Sequence, residues 1–137
     1  PSSLERIVKK FKRASSNKLR YEQLLWYAKK LPDFPEVEKT PGNKVYGCQS
    51  QVYIIANLDD GKVCYQGYSD AQLVKGLVAL LIEGLNGLTP QEIAEITPDF
   101  IQETGLTVSL TPSRANGFYN IFQLMKSQAN LYSNSRK

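Results

Sequence analysis

Residues 52–67 read Val-Tyr-Ile-Ile-Ala-Asn-Leu-Asp-Asp-Gly-Lys-Val-Cys-Tyr-Gln-Gly, and this stretch decides the fold. Val52 to Ile55 is β-branched and aromatic, and a strand is predicted from Val52 to Leu58. Asp59-Asp60-Gly61 is a turn signal between two apolar runs. Lys62 to Gly67 is then the return strand. A lone two-stranded hairpin is marginal in water and needs a further strand or packed helices. The rest of the chain must supply that cover.

Immediately upstream lies Gly47-Cys48-Gln49-Ser50-Gln51, a small polar run feeding the first strand. It predicts a tight loop, and functional side chains are often carried on loops held by a rigid scaffold. A free cysteine is more often a small buried hydrophobe than a reactive group. The polar neighbours of Cys48 argue against burial, because core positions rarely sit inside a polar run. The hairpin also tests whether Cys48 and Cys64 can pair. With the turn centred near Asp60, Cys64 lies opposite about Ala56. That is roughly 26 Å along the strand from Cys48, at ~3.3 Å per residue. A disulfide needs Cα atoms within about 7 Å, so none is expected. Cys64, between Val63 and Tyr65, reads as a strand-packing residue.

Two helices are predicted before the loop. Ser2 and Glu5 have capping-box spacing, and Leu4, Ile7, Val8 and Phe11 form one apolar stripe. Ala14-Ser15-Ser16-Asn17 breaks it and caps a second helix, with the stripe Tyr21, Leu24, Leu25, Ala28 and Leu31, ended by Pro32. Pro32 to Gly42 is an extended connection, and Val45-Tyr46 is at most a strand stub. After the hairpin, Ser69 and Gln72 have capping-box spacing, and a buried helix is expected from Asp70 to about Asn86. Gly76 inside it costs about 1 kcal/mol relative to Ala, which points to a close approach by another element. Thr89-Pro90, Thr97-Pro98 and Thr111-Pro112 each place an N-cap Thr before a Pro at the first helical position. They predict helices at about 90–95, at 98–104 closed by Gly105, and a long one from 112. In the last, Phe118, Ile121, Phe122, Met125 and Ala129 form the buried stripe. Ser133 to Lys137 reads as a frayed polar tail. The fold class is therefore α+β in one domain spanning 1–137: two N-terminal helices, a β-hairpin, then C-terminal helices, packed on one face of a small antiparallel sheet.

Composition narrows the chemistry. The chain has 137 residues, 42% hydrophobic and 22% charged, which suits a soluble domain with one core. The longest strongly apolar run, Leu77 to Ile82, is too short to span a bilayer, and no secretory signal pattern opens the chain. There are two cysteines and no histidine. A Cys/His zinc site, a Cys–His or Ser–His nucleophilic pair, and a self-held iron–sulfur cluster all need more ligands or a base. No metal site is expected. Two thiols do not make a secreted disulfide framework, so a reducing compartment is expected: cytoplasm, or plastid stroma in a plant or alga. Net charge is +4, but residues 1–30 hold nine Lys or Arg against two Glu. Such an end can steer acidic partners or nucleic acid. A solvated helical face explains it more simply, and no aromatic–basic interleaving of the nucleic-acid kind accompanies it.

Cys48 is the strongest nucleophile candidate on a loop. The absence of a histidine weakens a self-sufficient cysteine hydrolase. It does not trouble thiol exchange, in which a thiolate attacks sulfur and a partner supplies the activating groups. Arg114, at the start of the last helix, is a candidate charge partner. Asp70 reads first as a helix-start charge and Lys75 as a surface residue. Two rivals stand beside this reading. One is a non-enzymatic interaction domain using the basic N-terminal helices. The other is a thiol oxidoreductase, for which no C-x-x-C is present.

Three separated motifs carry a resemblance. Gly47-Cys48-Gln49-Ser50-Gln51-Val52, then Ser69-Asp70-Ala71 with Val74-Lys75-Gly76-Leu77, then Leu110-Thr111-Pro112-Ser113-Arg114 with Gly117, resemble the SufE family of sulfur-acceptor proteins. The likeness runs from about Leu4 to Ala129 in order and spacing, and the flanks look most like cyanobacterial and plastid versions. It implies the SufE/IscU-like α+β fold. It implies that Cys48 accepts sulfane sulfur from a SufS-type cysteine desulfurase, stimulates that enzyme, and passes the sulfur to the SufBCD scaffold for iron–sulfur cluster assembly. Gly47, Gln49, Ser50, Gln51 and Arg114 would then lie at the desulfurase-facing surface, with Asp70 controlling the loop. Pyridoxal phosphate would belong to the desulfurase, and this chain would carry no cofactor. No nucleic acid or membrane partner is implied. The thiol would rest sheltered and be delivered outward on docking.

Overall fold

A computed structural model describes residues 3–135. Helix α1 spans Ser3–Arg13 and α2 spans Asn17–Lys29. Two short 3₁₀ turns, Glu36–Glu38 and Pro41–Asn43, break the connection that was expected to be wholly extended. Strands β1 (Val52–Asp59) and β2 (Lys62–Ser69) follow, then α3 (Gln72–Leu85), α4 (Pro90–Ala94), α5 (Asp99–Glu103), α6 (Leu106–Ser109) and α7 (Pro112–Ser135). The architecture is α+β, in the order expected.

The hairpin closes through Asp60 and Gly61, both at positive φ (52° and 77°). That is the pattern of a two-residue turn whose twist matches the strands. Asp59 pairs with Lys62, so Cys64 faces Asn57 and not Ala56, a one-residue shift from the expected register. Val52, Ile54, Val63 and Tyr65 point into the core. Cys64 lies half-buried on the opposite face, which departs from its reading as a packing residue. Both cysteines are free, as the strand geometry required. Phe34 covers that outer face, with ring centroids 6.4 Å from Tyr53 and 6.3 Å from Tyr68.

A two-stranded sheet leaves two open edges, and both are dressed. Val45 N–H donates to Val52 O (2.9 Å), and Lys44 bridges Tyr53. Further along β1, Gln128 Nε2 and the Tyr132 hydroxyl of α7 donate to Ile54 O (2.8 Å) and Ala56 O (2.7 Å). On β2, Val63 N–H donates to Leu88 O (2.8 Å), and Tyr65 N–H to Asn86 Oδ1 (2.8 Å). The Tyr65 hydroxyl donates to Met125 O (2.6 Å), and burial holds its pKa well above the usual tyrosine range. The stub expected at Val45-Tyr46 is thus a single bridge with one flanking bond.

The α1 stripe and the α7 stripe are buried as expected. On α2 the buried positions are Leu24, Tyr27 and Ala28, while Leu25 is exposed and Tyr21 and Leu31 are half-buried. Trp26 of α2 is 48% exposed, with Lys10 and Lys30 ammonium groups each 4.2 Å from its ring centroid. Ser16 caps α2, accepting from Leu19 N–H (3.2 Å). Arg20 departs from the outward basic face. It reaches Ser109 Oγ (3.1 Å) and Ala14 O (3.1 Å) and ties α2 to α6. The Thr89–Glu92 capping box is complete. The Ser69–Gln72 box does not form: Ser69 Oγ accepts from Ala71 N–H (3.2 Å), and α3 starts at Gln72. Thr97 makes no cap either, because α5 starts after Pro98. Gly105, at φ +79°, leads into α6, a turn the spacing did not predict. The helix α7 continues to Ser135, through the first residues of the expected frayed tail. Ser2 of the first expected capping box, and Arg136 and Lys137 of the tail, lie outside the described residues.

Candidate functional site

The Cys48 loop is strung between the β1 edge and α7. At its far end Gln51 is held twice by Asp70. Gln51 N–H donates to Asp70 Oδ1 (3.0 Å), and Asp70 N–H donates to Gln51 O (3.2 Å). Asp70 therefore closes the loop onto the end of β2 and does not start a helix. At the near end Asn120 Nδ2 of α7 donates to Gly47 O (3.0 Å). Gly47 sits at φ +81°, where only glycine is unstrained.

Between these ends the Cys48 side chain turns inward, half-buried, against Gly117 of α7. A Cβ on Gly117 would lie 3.0 Å from Cys48 Sγ, so the missing side chain is the seat for the sulfur. Beside it opens a cavity of ≈ 210 Å³ lined by Cys48, Gln49, Ser50, Val74, Thr111, Ser113 and Arg114. Thr111 Oγ1 accepts from Arg114 N–H (3.3 Å), which fixes the first turn of α7 at the cavity wall. The Arg114 side chain is exposed.

Cys48, Gln49, Ser50 and Arg114 thus converge on one cavity. Gly47 and Gln51 anchor the loop, and Asp70 acts at its base without lining the cavity. Lys75 lies elsewhere, half-buried in a groove with Phe34, Lys39 and Tyr68. Asn120 was not singled out from sequence. Its signal was a polar residue one turn beyond Gly117, on the same face of the helix. No group of three or more Cys, Asp or Glu side chains that would hold a metal occurs among the described residues. No helix among them is long and apolar enough to cross a membrane.

Fold and site together define an α+β protein that presents one sheltered thiol on an anchored loop above a small, largely polar cavity. The SufE family model, described as an Fe-S metabolism associated domain, matches residues 5–129. An uncharacterized SufE-like protein of Synechocystis is 68% identical over 129 residues, covering 94% of this chain and 81% of the relative. SufE-like protein 1 of Arabidopsis thaliana, chloroplastic/mitochondrial, is 46% identical over 94% of this chain but only 35% of its own length. The cysteine desulfuration protein SufE of Plasmodium falciparum is 37% identical over 77% of this chain and 44% of its own. A solution structure of a hypothetical protein from Thermus thermophilus superposes with TM-score 0.80 at 30% identity, covering 93% of each chain. The chain belongs to the SufE family.

Proposed function

We propose that this protein accepts sulfane sulfur on Cys48 from a SufS-type cysteine desulfurase, stimulates that enzyme, and hands the sulfur to a SufBCD-type scaffold for iron–sulfur cluster assembly. The observation that carries this reading is the seating of Cys48 Sγ against Gly117 with a cavity open beside it. The Cys48 thiolate attacks the outer sulfur of the desulfurase persulfide. A new S–S bond forms on Cys48, the old one breaks, and its electron pair leaves on the desulfurase cysteine as thiolate. The two proteins exchange one sulfur with no net redox change. The product Cys48–S–SH carries one additional sulfur, for which the cavity has room. Thr111, Ser113 and Arg114 face it with hydroxyl and guanidinium groups that suit an anionic sulfur. A reducing compartment, cytoplasm or plastid stroma, keeps both thiols available.

The test is intact-protein mass after incubation with an active SufS-type desulfurase and L-cysteine. A reductant-sensitive gain of sulfur supports the reading. No gain with an active enzyme overturns it and favours an interaction domain using the basic N-terminal helices.

Two predictions belong here. Cys48 in the free protein should react with iodoacetamide more slowly than a free thiol peptide, and faster once the desulfurase is bound. Equal rates with and without the desulfurase would refute gating by docking. Cys64→Ser should leave sulfur acceptance within about twofold of wild type, since Cys64 lies on the outer face of the hairpin. A loss comparable to that at Cys48 would put Cys64 on the transfer route.

A further inference from the structure

We infer that Asn120 is a positioning residue that clasps the Cys48 loop in its sulfur-inward state, a reading that rests on the proposed sulfur transfer for its biological meaning. The two ends of the loop are held unequally. At the Asp70 end there are two bonds: the Asp70 N–H to Gln51 O bond continues the hairpin ladder by one step, and the Asp70 carboxylate accepts from Gln51 N–H. At the other end, a side-chain amide bonds the carbonyl of an exposed glycine in the left-handed region. Such a glycine is the backbone position best able to rotate once its carbonyl is released. Opening by loss of the Asn120 bond and rotation at Gly47 is therefore the least costly way to turn Cys48 outward.

The surrounding chemistry fits a clasp. A Cβ on Gly47 would lie 2.6 Å from Asn120 Nδ2, so glycine at 47 is needed for the amide to reach its carbonyl. Asn120 stands three residues after Gly117 on one face of α7. The same helix thus seats the sulfur and holds the loop over it. Phe118, Ile121 and Phe122 of α7 are fully buried, so the clasp is mounted on a part of the core that docking need not move.

The experiment uses iodoacetamide labelling of the free protein, with Cys48 and Cys64 read separately by peptide mass. Asn120→Ala removes the donor. Asn120→Asp keeps the shape but turns an acceptor toward Gly47 O. Loss of one partly exposed hydrogen bond should raise the Cys48 rate about three- to tenfold in Asn120→Ala. The rise should be at least as large in Asn120→Asp, with Cys64 unchanged in both. A wild-type Cys48 rate in either variant overturns the inference. So does an equal rise at both cysteines, which would be global loosening. The assay contains no desulfurase. Faster Cys48 labelling in the variants, beside no mass gain of the wild-type protein in the separate desulfurase incubation, would therefore sink the proposed function and leave the clasp standing.

Discussion

Cys48→Ser is expected to lose sulfur acceptance entirely, below the detection limit of intact-protein mass, while keeping the wild-type fold. A serine hydroxyl is not ionised near neutral pH and is a poor nucleophile toward sulfur, whereas a cysteine reacts as its thiolate. Serine also forms no stable equivalent of the S–SH product. No second thiol can substitute. Cys64 stands opposite Asn57, roughly 16 Å along β1 from Val52 at ~3.3 Å per residue, and on the outer face. The fold should tolerate the change because the hydroxyl is slightly smaller than the thiol and occupies the same seat beside Gly117. A stability change within about 1 kcal/mol is the expectation for such a half-buried swap. Thermal melting reads the fold, and mass after incubation with the desulfurase reads the transfer. Persisting sulfur adducts in the variant would mean that another residue is the acceptor.

What could be read from the sequence follows the range of the interactions involved. The Asp60-Gly61 turn, the α1 and α7 stripes and the Thr89 cap before Pro90 depend on residues a few positions apart, and all appear in the structure. The Cys48 loop was legible because a polar run before a strand is itself a local signal. The misses are cases where a distant partner decides. Ser69 had the spacing of a helix cap, but Asp70 is taken up by Gln51 and the helix begins later. The helical spacing places Leu25 in the buried stripe, but it is exposed together with its neighbour Trp26. The surface keeps them because Tyr27 fills the interface with α1, stacked on Phe11 at 5.8 Å, while lysines shade the indole. The dressing of the sheet edges by Gln128, Tyr132 and Asn86 spans up to 76 residues of separation and has no local signature. Asn120 belongs to this group. Its role exists only once α7 lies beside the loop.

Gly76→Ala should be the most destabilising methyl that can be added to this protein at a glycine in a helix, although intrinsic propensity favours it by about 1 kcal/mol. The Cβ would sit 2.3 Å from Leu24 O and 2.8 Å from Leu24 C, both backbone atoms of α2. Backbone cannot step aside as a side-chain tip does, so α2 would have to move away from α3 at the contact beside the fully buried Leu24. Overpacking of this kind typically costs 1–3 kcal/mol and more against backbone, so a net loss of about 3 kcal/mol is expected. For a chain of 137 residues that lowers Tm by roughly 10 °C. Gly84→Ala is the comparison that isolates the cause. Its Cβ would meet Leu4 Cδ1 at 2.8 Å, the far end of a flexible side chain. It lies on the same helix and gains the same propensity, so its Tm should stay within a few degrees of wild type. If both variants melt like wild type, helix propensity outweighs the contact and α2 does not approach α3 this closely. If both fall equally, glycine is needed along α3 for a reason other than the passage of the Leu24 backbone. A large fall at Gly76 beside a small one at Gly84 locates the constraint where two helices touch main chain to side-chain-free main chain. That contact sets the position of α3, and with it Val74 on the wall of the Cys48 cavity.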